Sequence, residues 1–64
     1  MPIINIDLWA GRPAEVKDKL IQNVTKTVCE TVGCPSDAVI VVIRDIPKEN
    51  WGQDGVQASS GSQA

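Results

Sequence analysis

Two residues near the start of this 64-residue chain have types that can do chemistry. Pro2 lies directly behind the initiator methionine. Once Met1 is removed, Pro2 becomes a free secondary amine at the chain terminus, able to act as a base or a nucleophile. Arg12 follows Gly11 at the end of the opening stretch MPIINIDLWAGR, and its planar guanidinium matches the geometry of a carboxylate. Other catalytic types are scarce. There is no histidine, and the two cysteines, Cys29 and Cys34, make no zinc set without further ligands. No metal site and no cofactor is expected. The cysteines are expected to be reduced thiols of a cytosolic protein, since a disulfide between them would close only a small loop at a helix end.

Charge and length narrow the partners. The formal net charge is −2, with Lys+Arg 6 against Asp+Glu 8, and no basic stripe marks a nucleic-acid surface. The opening residues carry no basic n-region and alternate in polarity, so no signal peptide is expected. No apolar run approaches the roughly 20 residues that span a bilayer. The expectation is a cytoplasmic protein with neither nucleic acid nor membrane as partner. A chain this short holds one domain and buries only about 60% of its surface. Without disulfide or metal, oligomerisation is the expected source of stability.

The hydrophobic pattern supplies the elements that must position Pro2 and Arg12. IINIDLW alternates, with Ile4, Ile6 and Leu8 on one side and Ile3, Asn5, Asp7 and Trp9 on the other, which predicts a strand. From Pro13 the period changes. Val16, Leu20, Val24, Val28 and Val32 recur every fourth residue with Ile21 beside them, which predicts an amphipathic helix. Pro13 suits its first turn and Glu15 its positive end. Gly33 suits the left-handed position after the last turn, and Pro35 stops continuation. AVIVVIRDI then reads as a strand apolar on both faces, as in a central parallel strand, ended by Pro47. Trp51-Gly52 and Asp54-Gly55 predict a small C-terminal hairpin.

Strand, helix and strand in one short chain predict an α/β fold, a single right-handed βαβ unit with parallel strands. The domain is placed at residues 1–56 and a polar mobile tail at 57–64. One helix covers only one face of the second strand, so the other face must meet another copy of the chain.

These pieces together resemble the 4-oxalocrotonate tautomerase family: Met1-Pro2 leading a strand, Gly11-Arg12 at its end, a helix, the Val39–Ile43 strand, and Asn50-Trp51-Gly52 followed by Gly55. The resemblance covers about residues 2–56. It implies the tautomerase fold, a βαβ protomer whose sheets join across a dimer, with three dimers forming a hexamer. It implies an isomerase that moves a proton between oxygen and carbon in a small enol or keto acid. Met1 is then removed, and Pro2 is the catalytic base.

The residue types fit those roles. A free α-amino group is largely protonated at pH 7, and an apolar wall and a nearby guanidinium both disfavour the ammonium form. Trp51 stands where the family prototype has phenylalanine and would wall the site. Arg12 stands where the family holds the substrate carboxylate. Trp9 either lines the pocket or packs an interface.

Three departures qualify the resemblance. The prototype has a second arginine, from a neighbouring subunit, where this chain has Ile40. Arg44 lies on the same face but about 13 Å further along the strand. A second chain supplying the missing arginine would make a heterohexamer instead of a homohexamer. The related 3-chloroacrylic acid dehalogenases carry an acidic residue two positions beyond the aromatic, where this chain has Gln53, with Asp54 one residue late. Pro13 replaces the hydroxyl cap common in the family. A hydratase or dehalogenase acting on unsaturated acids, and a non-catalytic oligomeric binding protein of the same fold, therefore stay open as alternatives.

Overall fold

The computed structural model describes residues 1–60 of the chain. Strand β1 (Ile3–Trp9) is followed by helix α1 (Ala14–Val32), a 3-10 turn (Ser36–Ala38) and strand β2 (Ile40–Ile46). The two strands pair in parallel, with Ile3 opposite Ile40 and Trp9 opposite Ile46. Backbone bonds extend the ladder at both ends. The Ile40 N–H donates to the Pro2 carbonyl at 3.0 Å, and the Ala10 N–H to the Ile46 carbonyl at 2.9 Å. This is the βαβ unit that the change of period predicts. A second 3-10 turn (Lys48–Asn50) leads into an antiparallel hairpin of β3 (Gly52–Gln53) and β4 (Val56–Gln57). Asp54 and Gly55 at its tip have φ of 55° and 75°. Two successive left-handed residues are what a two-residue type I′ turn demands.

β1 alternates in space as it does in sequence. Ile4, Ile6 and Leu8 are half-buried while Ile3, Asn5 and Asp7 face away. On β2, Val41 and Ile43 continue the half-buried side. In α1, Leu20, Val24 and Val28 are half-buried, but Val16 and Val32 are 46% and 64% exposed and Ile21 is exposed as well. Length explains the shortened stripe. A helix of 19 residues is about 28 Å long, whereas strands of 7 residues span about 23 Å. The helix overhangs the sheet, and its outermost valines find nothing beneath them.

The helix ends follow from backbone chemistry. Pro13 is the N-cap rather than a first-turn residue; its backbone is extended (φ −71°, ψ 161°) and no side chain caps the turn. Its carbonyl instead accepts from the N–H groups of Val16 and Lys17 at 3.2 and 3.3 Å. At the other end Gly33 is left-handed (φ 84°, ψ 32°) and donates its N–H to the Cys29 carbonyl. A residue with a Cβ would be strained there.

One protomer has no closed core. Ala58, 3% exposed, is the sole buried residue among those described. Across the sheet from α1, Ile3, Ile40 and Val42 are 58%, 42% and 39% exposed. The radius of gyration is 14.6 Å, against about 10.7 Å for a compact domain of this length. Among the described residues no helix is long and apolar enough to cross a membrane. Of the stretch 57–64 read as a mobile tail, residues 61–64 lie outside the described residues. Gln57 pairs with Gly52, and the Ala58 N–H donates to the Trp51 carbonyl at 2.8 Å.

Candidate active site

The residues with expected roles fall at two ends of the sheet. Pro2 and Ile40 occupy the end where both parallel strands begin, joined by their backbone hydrogen bond. Pro2 is half-buried. Ile40 lies on the bare face and brings no charge to this end.

Arg12, Trp9 and Trp51 gather at the opposite end. Arg12 Nη1 donates to the Trp9 carbonyl at 3.1 Å, which holds the guanidinium against the end of β1. The Trp51 ring meets the Trp9 ring edge-on, with centroids 6.0 Å apart and planes at 82°, the arrangement favoured by aromatic quadrupoles. Trp51 is fixed through its backbone. Its N–H donates to the Lys48 carbonyl at 3.2 Å, and its carbonyl accepts from Ala58. Both indoles are half-buried.

Lys48 joins this end of the sheet, a placement that reasoning from sequence missed. Its Nζ sits 4.7 Å from the centroid of the Trp9 ring, within reach of a cation–π attraction. A faint signal was present: Pro47 opens a 3-10 turn, and such a turn returns the chain to its starting side within three residues. The indole Nε1 of Trp9 is buried and has no acceptor among the described residues.

Arg44 belongs to neither group. It stands opposite Asp7 in the register, and its Nε donates to Asp7 Oδ1 at 2.8 Å, both side chains exposed on the bare face. On the helix side, Lys17 at the start of α1 pairs with Asp45 of β2. That pair ties the helix to the strand and takes no part in either group.

The two ends of the sheet are well separated. At a strand rise of about 3.3 Å, Pro2 and Trp9 are about 23 Å apart. Within one protomer, therefore, Pro2 does not meet Arg12 or Trp51. A hollow of about 530 Å³ between α1 and the loop after it is lined by Ile21, Thr25, Cys29 and Ser36 among others, and holds none of the expected site residues. Cys29 and Cys34 are free thiols. Burial, and then the neighbouring Cys34, push the Cys29 thiol up from its ordinary range. Among the described residues no group of three or more His, Cys, Asp or Glu is placed to hold a metal ion.

Comparison with known proteins bears on this arrangement. The family model described as tautomerase enzyme matches residues 2–60. A 2-hydroxymuconate tautomerase of Comamonas testosteroni is 48% identical over 58 residues, covering 91% of this chain and 92% of its own. A 2-hydroxymuconate tautomerase of Pseudomonas putida is 40% identical, with the same coverage of both chains. Among solved structures, a 4-oxalocrotonate tautomerase isozyme from Methylibium petroleiphilum superposes with a TM-score of 0.92 at 44% identity, covering 97% of this chain and 100% of its own.

Proposed function

We propose that this chain, which belongs to the tautomerase family and is thereby an isomerase, transfers a proton between oxygen and carbon in small 2-hydroxy-dienoate or enolpyruvate-type acids. Pro2, freed by removal of Met1, is the general base. Its neutral amine takes the proton of the enol hydroxyl. The electron pair shifts along the conjugated chain, and the ammonium so formed returns the proton to carbon. The amine must be neutral at the start, and an apolar wall together with a guanidinium lowers the cost of that state. Trp51 is the wall. Arg12 binds the substrate carboxylate and stabilises the negative charge that develops during transfer. Trp9 completes the lining. The two 2-hydroxymuconate tautomerases it is similar to support a 2-hydroxy-dienoate substrate.

The observation that carries this reading is the gathering of a guanidinium and two indoles at one strand end, with the proline at the other. A complete site then needs two copies, with Pro2 of one protomer set against Arg12 and Trp51 of another. The exposed Ile3, Ile40 and Val42 support a homo-oligomer that closes over this face, and three dimers in a hexamer is the assembly we propose.

A complementation experiment tests both parts. Pro2→Ala and Arg12→Ala are each impaired alone. After unfolding together and refolding, about a quarter of the shared sites regain both wild-type residues, and activity should rise accordingly. Mixed oligomers verified by mass that show no gain would defeat the shared site. Failure of the wild type to convert any enol acid would defeat the function itself.

A further inference from the structure

We propose that Lys48 supplies a second cationic anchor for the substrate, so that this chain accepts dicarboxylates although position 40 is isoleucine. The inference rests on the tautomerase reading above and names the substrate class of the same site. Arg12 and Lys48 converge on one residue. Arg12 holds the Trp9 carbonyl at 3.1 Å, and the Lys48 ammonium lies 4.7 Å from the Trp9 ring centroid. A dicarboxylate that puts one end on Arg12 therefore has another cation beside it.

The remaining cations near the sheet are engaged. Arg44 is paired with Asp7 and Lys17 with Asp45. Lys48 makes no ion pair among the described residues. It is held over the indole by a weak attraction at an exposed position, whereas a charge-assisted bond to a carboxylate is stronger. Its backbone is fixed by the Trp51 N–H bond to its carbonyl, while its four-carbon stem is free to swing.

The Trp9 indole points the same way. Its buried N–H has no acceptor among the described residues, and leaving a buried donor unpaired is costly. That donor lies in the plane of the same indole whose face carries the Lys48 ammonium. Lys48 offers an anion one full charge beside an indole whose own hydrogen bond is still unmade.

Lys48→Met keeps the stem on the indole and removes the charge; Lys48→Arg restores the charge. The ligands are hexa-2,4-dienedioate and hexa-2,4-dienoate, which differ only in the second carboxylate, with binding followed by fluorescence of the two tryptophans. The matching 2-hydroxy acids are compared by kcat/KM. The diacid-to-monoacid ratio should fall about tenfold or more in Lys48→Met and recover in Lys48→Arg. An unchanged ratio in Lys48→Met, or one that Lys48→Arg fails to recover, overturns the anchor. The two readouts separate this inference from the one it rests on. Diacid binding that depends on Lys48, without turnover by the wild type, leaves the anchor standing and removes the tautomerase reading. Turnover of both acids with a ratio insensitive to Lys48 does the reverse.

Discussion

The backbone amide of Ile40 donates to the carbonyl of Pro2 at 3.0 Å, so the proposed base residue is fastened to the first residue of β2. A side chain at position 40 stands on the bare face at the same strand end as the amine. Ile40→Arg places a guanidinium there. It should raise kcat/KM for a dicarboxylate about tenfold relative to a monoacid, the worth of one charge-assisted hydrogen bond. It should also shift the acidic limb of the rate profile to lower pH, because a nearby positive charge disfavours the ammonium form. Rate profiles on both substrate types check this; if neither the ratio nor the limb moves, position 40 does not border the pocket.

Pro2→Ala should slow turnover by about ten- to a hundredfold without abolishing it, since general-base catalysis is worth at least this much and alanine still presents a primary amine. A reactive alkynoate acid should label residue 2 in the wild type, as read by mass mapping. Labelling elsewhere, with unchanged turnover in the variant, would remove Pro2 from the mechanism.

Trp51→Ala removes the edge-on contact with Trp9 and, in the proposed site, one wall. The ring pair alone is worth about 0.5–1.5 kcal/mol, so a lowered Tm is expected. Water admitted to the amine stabilises its charged form and raises its pKa. With the neutral amine as the active form in the proposed mechanism, the acidic limb should then move to higher pH. If the limb stays in place while the oligomer dissociates, Trp51 acts by packing alone.

Val42→Asp puts a carboxylate on the exposed apolar patch formed with Ile3 and Ile40. Burying an unpaired charge in an interface costs several kcal/mol. Sedimentation velocity at micromolar concentration should show a smaller species, and activity should fall with it if the site is shared between copies as proposed. A variant of unchanged size that remains active would place the interface elsewhere.

The change of hydrophobic period, from two to about four and back, was enough to mark out β1, α1 and β2. Such patterns are local, and each residue's side follows from its neighbours in the chain. Gly33 and the Asp54-Gly55 turn were legible for the same reason, since a left-handed backbone selects residue types directly. The chemical types of Pro2 and Arg12 also lay open in the sequence. So did their separation, since the seven residues of β1 stand between them. The bond that holds Arg12 back on the Trp9 carbonyl did not. The outward turn of Val16 and Val32 depends on a helix longer than the strands beneath it. Lys48 reaches Trp9, 39 positions earlier in the chain, only because the Lys48–Asn50 turn folds back against the end of the sheet. Distances of this kind are set by chain reversal and by which elements pack together, and neither composition nor period carries that information.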